Sequence, residues 1–239
     1  MKKSLCFLFV VLFMMYGCVL EEKLVAHWTF DEDVETTVFD ISSNENHGKI
    51  IVDSGGEDYQ WVYGNIFSYG YGWGNGPIGS ALFLDGNACV YVDYNRSFNA
   101  NVFTVAAWLN CNNEGNEAAY LRRYNGWSLI TKNNEWCIKI DNTNGGEVIQ
   151  SGHQFAIDEW HHYAVVVNNT SRTVIFYVDG EKFGDTKTYS KPFASSLESD
   201  IYIGQFDSTH RWSGGLDDVR FYRTALESQL IQDLYALGN

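Results

Sequence analysis

The chain has 239 residues, enough for one large domain with a substantial core. Its 30 acidic residues outnumber 16 basic ones, and the formal net charge of -14 with a pI near 4.7 would repel nucleic acid and an anionic membrane surface, which excludes both as charge-driven partners. Such a charge serves solubility in an exported protein. A cation site is the sharper alternative.

In chain order, Lys2 and Lys3 precede an apolar run over 5–16, the charged and hydrophobic regions of a secretory signal, too short to span a bilayer. Gly17-Cys18 then resembles a bacterial lipobox, which implies a lipoprotein tethered to the membrane through lipidated Cys18; an ordinary cleaved signal is the other reading. The expected layout is a leader over 1–17, a tether over 18–23 and one domain over 24–239. Cys6 and Cys18 set aside, Cys89, Cys111 and Cys137 remain. At most one disulfide can join them, and three buried small thiols are an equal reading.

From Leu24 the text is short strands punctuated by Gly, Asn, Asp and Ser, with two prolines in the whole chain. That is the pattern of a β-sandwich. Residues 54–77 break it: Tyr59, Trp61, Tyr63, Phe67, Tyr69, Tyr71 and Trp73 stand among glycines and predict a loop over the sandwich. Trp61, Tyr69, Tyr71 and Trp73 are its candidate carbohydrate contacts, because flat sugar faces stack on such rings; a self-packed loop is the alternative. Further on, Tyr163 to Val167 reads as an apolar strand. Thr173 to Val178 alternates, with Val174, Phe176 and Val178 on one face, and Asp179-Gly180 predicts a tight hairpin. The last strand carries Leu216, Val219, Phe221 and Tyr222. Its two adjacent aspartates, Asp217 and Asp218, are costly unless one faces a cation and the other the chain. Thr224 and Glu227 fit a capping box for a helix carrying Leu226, Leu230, Ile231, Leu234 and Tyr235.

The run from Gly214 through Leu226 to Leu234-Tyr235 resembles the closing signature of laminin-G-like domains in the concanavalin A-like lectin and glucanase superfamily. Ala26 to Glu32, Asp40 to Gly48, Gly79 to Gly86, Phe103 to Trp108, Glu159 to His162 and Tyr177 to Gly180 resemble its other landmarks in order. The resemblance implies an all-β, two-sheet antiparallel jelly-roll sandwich of the concanavalin A-like type with a short C-terminal helix. It also implies a structural calcium site, in which the Asp40 to Gly48 loop meets the late aspartate pair. Asp40 and Asp217 are then the first carboxylate ligands, with Asn46 and Asp31 as further candidates, since calcium takes hard oxygen donors from flexible loops. An Asx-turn loop in which aspartates cap amides is the alternative.

Catalysis has a weaker basis. Related glucanases place two acids on one strand face, and the nearest run here, Asp31, Asp33 and Glu35, follows the first strand and lacks the leading glutamate; no catalytic residue is assigned. His161-His162 reads as packing at a strand start. The sequence therefore points to a non-catalytic, exported carbohydrate-binding or adhesion lipoprotein with bound calcium. A protein-interaction subunit of a surface complex is the alternative.

Overall fold

Alternation of apolar and polar residues sets the architecture: each strand buries one face and gives the other to solvent or to a covering element. The computed structural model describes residues 21–33, 36–52, 70–112, 117–141, 146–204 and 211–239. Among them, the first sheet runs in the order β14 (Glu181–Thr188), β13 (Thr173–Val178), β12 (Trp160–Asn168), β7 (Val102–Cys111), β16 (Ser213–Tyr222), β5 (Ser80–Asp85) and β4 (Tyr71–Asn75), and β1 (Leu24–Trp28) also pairs with β16. The second runs β11 (Glu147–Gln154), β10 (Glu135–Ile140), β9 (Trp127–Lys132), β8 (Ala118–Arg123), β15 (Ile201–Ile203), β6 (Ala88–Val92), β3 (Gly48–Val52) and β2 (Thr37–Val38). Every pairing between them is antiparallel, so the chain is the expected two-sheet sandwich.

Between the sheets, Phe103 stacks on Trp127 at 4.8 Å and on Phe221 at 5.4 Å, tying β7, β9 and β16 together. Burying a ring of this size stabilises by about 1.5–3 kcal/mol relative to exposure. Val174 and Phe176 join this core while Tyr177 faces away from it, as the alternation predicts. The Asp179-Gly180 turn has φ of 49° and 78°, the left-handed pair that a two-residue hairpin needs. Cys89, Cys111 and Cys137 are buried on β6, β7 and β10, and none bridges another.

The outer face of the first sheet is covered at one end by α1 (Ser228–Tyr235). Ile231 and Leu234 of α1 pack with Ala106, Ala164, Val166, Tyr177, Tyr222 and Leu226. The helix starts at Ser228, later than the capping pattern suggested, and Glu227 at its N-cap makes no side-chain cap. Thr104 of β7 serves the entry instead. Its hydroxyl donates to the Thr224 carbonyl at 2.8 Å and accepts from the Leu226 amide at 3.0 Å.

One strand organises the rest of that face. Along one edge β16 pairs with β7; along the other, β5 takes Ser213 to Leu216 and β1 takes Val219 to Tyr222. Asp217 and Asp218 fall where one neighbour stops and the next begins. The register shifts there, and Asp218 has φ 50°. A bulge of this kind re-aims side chains and increases local twist.

The Asp40 loop is closed by its own hydrogen bonds. Oδ1 of Asp40 accepts from the amides of His27 and Ser42, and Oδ2 from the Ser42 hydroxyl and the Asn46 amide, all at 2.8 Å. These fill the roughly four acceptor positions of a carboxylate. Asn46 donates to the Val25 carbonyl at 2.7 Å, and its own carbonyl accepts from the Trp28 indole at 2.9 Å. The expected calcium ligands Asp40 and Asn46 are thus loop-closing groups, which is the Asx-turn arrangement. Asp40→Ala strands four donors next to the buried Trp28 and is expected to cost roughly 3 kcal/mol, read as a lower urea midpoint with an unchanged slope.

Candidate functional site

The break in β16 gathers three segments that are distant in sequence. Asp31 follows β1, residues 76–79 turn from β4 into β5, and Asp217 lies in β16 itself. Oδ2 of Asp217 accepts from the Ile78 amide at 2.8 Å, and Oδ1 of Asp31 accepts from the Ser80 amide at 2.9 Å. The turn presses closely on both acids: a Cβ on Gly76 would overlap Asp217 Oδ2, and one on Gly79 would overlap Asp31 Oδ1. Only glycine permits that approach, and Gly79 also has φ 73°.

The two acids differ in environment. Asp31 is exposed, whereas Asp217 is fully buried with its Oδ1 lacking a hydrogen-bond partner. Burial pushes the Asp217 carboxyl up to about 7, with Asp218 and Asp31 adding their charges against the Ile78 hydrogen bond. Burial also pushes Asp218 up, but His27 and Arg220 outweigh it and hold that carboxylate below its usual range. His27 Nε2 lies 2.6 Å from Asp218 Oδ1, and Arg220 Nη2 donates to the same oxygen at 2.9 Å. So Oδ1 of Asp218 is committed to two basic side chains, whereas Asp217 has only the Ile78 amide on Oδ2. A buried, unpartnered carboxylate oxygen beside an exposed acid and flexible turn carbonyls fits a hard cation such as calcium. Among the described residues no three His, Cys, Asp or Glu side chains are arranged to hold a metal ion by themselves, so backbone carbonyls and solvent would complete its shell.

Two residues back along β16, the register carries a row straight across the outer face: Gly72 opposite Phe83, Phe83 opposite Gly215, Gly215 opposite Asn110, and Asn110 opposite Trp160. The glycines leave room for their neighbours' rings. A Cβ on Gly215 would lie 2.6 Å from Trp160 Cζ2 and 3.0 Å from Phe83 Cε1, and one on Gly74 would lie 2.9 Å from Phe83 Cε2. Phe83 and Trp160 meet edge to face at 5.9 Å, both half-buried. Glycine inside a strand marks a place where something approaches closely. Here it lets two half-buried rings form a low platform, with the buried Asn110 between their strands, next to the acidic turn.

This relocates part of the expected aromatic surface. The end of the 54–77 stretch is strand β4, whose alternation sends Tyr71 and Trp73 inward and Gly72 and Gly74 outward. Tyr71 is buried in the core and Trp73 is half-buried against it, so neither offers the outward ring a loop would have given. Trp61, Tyr69 and Cys18 lie outside the described residues. The run Asp31, Asp33 and Glu35 forms no strand in its described part: Phe30 and Asp33 have φ of 60° and 62°, which breaks alternation. Sequence reading missed Phe83 and Trp160 as surface candidates and the buried Asn110 beside them, and the strand glycines opposite were the available signal.

The histidines divide as adjacent strand residues should. His161 Nδ1 lies 2.8 Å from Asp179 Oδ2, while His162 is buried against Trp108 at 5.5 Å.

A β-sandwich whose outer face carries a ring-and-amide platform beside an acidic turn belongs, by fold, with lectin-like domains. The chain is a member of the concanavalin A-like lectin/glucanases superfamily: a laminin G family model of that superfamily matches residues 84–232. A search of curated proteins returns no significant match. Among solved structures, the binding domain of Paraclostridial Mosquitocidal Protein 1 aligns with a TM-score of 0.68 at 18% identity, over 90% of this chain and 52% of that one. Domain 4 of AbnA, a GH43 extracellular arabinanase from Geobacillus stearothermophilus solved with arabinotriose, aligns at 0.66 and 18%, over 89% and 98%. A botulinum neurotoxin serotype D/C binding domain aligns at 0.64 and 14%, over 92% and 53%. The chain spans about half the length of the two toxin domains and nearly all of the arabinanase domain. At these identities the likeness is one of fold.

The buried histidine gives a pH test. Burial lowers His162 to about 4, so its share of stability is complete above the ordinary value of 6.5 and is lost as pH falls from there towards 4. The loss is on the order of 3 kcal/mol. Urea unfolding across that window should show it, and His162→Gln should flatten the curve. In the same titration by NMR, His161 should protonate above 6.5 because Asp179 holds its proton, and Asp179→Asn should lower it.

Proposed function

We propose that the protein is a non-catalytic, exported glycan-binding module, assisted by calcium, whose contact surface is the Phe83, Asn110 and Trp160 platform and the acidic turn beside it. The observation that carries this reading is the glycine-spaced row across five strands. It sets two rings and an amide on one face, two residues from a buried carboxylate oxygen with no partner. Flat, hydroxyl-rich molecules suit that combination, because apolar sugar faces stack on rings while hydroxyls need polar groups and hard cations. The arabinotriose held by domain 4 of AbnA supports a saccharide as the first ligand class to try.

Calcium would be held by Asp217 and Asp31 with carbonyls of the 76–79 turn, and its contribution is charge neutralisation and rigidity at the break in β16. The leader reading completes the picture: a secretory signal and lipidation at Cys18 would place the module on the cell envelope, with Trp61 and Tyr69 available to extend the surface. Among the described residues no helix is long and apolar enough to cross a membrane.

Two measurements test the reading. An ion that binds only the folded state must raise its melting temperature. Calcium at 1 mM should therefore raise that of the wild type by several degrees, roughly what 1–2 kcal/mol gives a domain of this size, and leave Asp217→Asn unmoved. No shift in a chelator-stripped wild type rejects the calcium assignment. On a glycan array, Phe83→Ala and Trp160→Ala should each lose about tenfold in retention while melting within a few degrees of wild type. Full retention by both rejects the platform, and a blank array with a pulled-down partner would favour a protein ligand at the same face.

A further inference from the structure

Beyond the acidic turn, the same face continues under cover. In register, Asp217 lies opposite Trp108 and Trp108 opposite His162, forming the row next to the platform. Trp108 Nε1, His162 Nδ1 and Asp218 Oδ2 are buried and without hydrogen-bond partners, on side chains whose residues are 5%, 1% and 3% exposed. The Trp108 and His162 rings lie 5.5 Å apart, and Asp218 directly follows Asp217, the residue opposite Trp108, so the three groups are neighbours on this face. Buried polar atoms are almost always paired, so three together need a reason.

What covers them is lightly held. Tyr235 stacks on Trp108 at 5.5 Å with planes 30° apart and lies 6.2 Å from His162. The 3-10 turn Ala236–Gly238 then brings Gly238 against the indole, where a Cβ would sit 2.8 Å from Trp108 Nε1. That turn buries none of its own side chains, and Leu237 is 58% exposed. Tyr235 is the last residue of α1, whose buried anchors are Ile231 and Leu234, and it also packs against Gly180, so opening unwinds the end of the helix and leaves its anchors in place. Segments with so few buried contacts open at low cost while their anchors stay in place.

We infer that Trp108, His162 and the adjacent Asp218 form a covered subsite for a saccharide ring, and that residues 235–238 form its lid. The incoming ring takes the place of Tyr235 on the Trp108 indole. Its hydroxyls accept from Trp108 Nε1, donate to Asp218 Oδ2, and meet His162, which as a neutral imidazole can do either. The subsite extends the platform of Phe83 and Trp160 along β7, β12 and β16, and the inference rests on the glycan reading of that platform.

The test uses Gly238→Ala, which pushes the turn off the indole, and Tyr235→Ala, which removes the stacked ring. Both are compared with wild type and Trp108→Ala on an array of neutral oligosaccharides that includes arabinotriose, alongside hydrogen exchange of the Trp108 indole proton. A lid predicts faster indole exchange in both lid variants, at least fivefold stronger retention on saccharides the wild type already binds, and loss of that gain when Trp108→Ala is added. Faster exchange with unchanged retention overturns the subsite, identifies the three groups as a water-filled structural pocket, and leaves the platform reading intact. Unchanged exchange in both variants overturns the lid. If no folded variant and no wild type binds any saccharide, the subsite and the glycan reading fall together.

Discussion

Strand β16 cannot pair along its whole second edge with one neighbour. Strand β5 enters from the 76–79 turn and β1 from the start of the domain, and the two divide that edge between them. A sheet built this way must contain a point where neither neighbour supplies hydrogen bonds. The sequence meets it with two aspartates, one at φ 50°. Asp218 is tied down by His27 of β1 and by Arg220, so it seals the break towards β1. Asp217 takes a single amide from the turn that leads into β5, and so leaves the break chemically open on that side. The two carboxylates have opposite pKa directions for that reason. Burial alone raises both, and only Asp218 has the His27 hydrogen bond and the Arg220 guanidinium to offset it.

This break divides the outer face of the first sheet. On the β1 side, Ala106, Ala164 and Val166 present small apolar surface and α1 lies on it. Beyond the break, Gly72, Gly74 and Gly215 occupy the equivalent outward positions, and the Phe83 and Trp160 rings lie close against Gly74 and Gly215. The alternative arrangement, with branched residues in place of the glycines, would give better strands but would lift those rings off the sheet. Weak strand formers at these positions are tolerated because the inner face carries the stability. Leu82, Leu109 and Leu216 lie beneath them, each 1% exposed or less.

The fold was legible because its signals are local and repeated. Thr173 to Val178 sends successive side chains to opposite faces, Asp179-Gly180 can hardly do anything but turn, and the closing run around Leu216 to Tyr222 carries the family resemblance. The site was only half legible. Asp217 stood out as an acid in a costly place and Asp31 entered only through the resemblance, but a one-dimensional pattern could not say that Asp40 would find three donors in its own loop and a fourth in the His27 amide of β1. The aromatic stretch misled for a definite reason. Glycine is read as a loop former when its neighbours are unknown, yet in β4 the glycines alternate with rings at period 2 because opposite Gly72 stands Phe83. Phe83, Asn110 and Trp160 are separated by as many as 77 residues and become neighbours only through the register of four strands.

The electrostatics argue for where a ligand would be held. A chain of net charge -14 repels its own acids, and the cheapest places for carboxylates are solvent-exposed loops. Asp217 and Asp218 are instead among the least exposed residues of the molecule, side by side in a central strand. Packing does not require them there, since the core beneath is made by Leu216, Val219 and Phe221. Turn formation does not require them either, because Gly76 and Gly79 already shape the turn. What the position does supply is a buried carboxyl, held up to about 7, at the junction of an aromatic platform and a backbone turn, which an approaching cation would ionise. Stability alone would place an amide or an apolar residue at 217; a carboxylate there makes sense where its charge meets an opposite one.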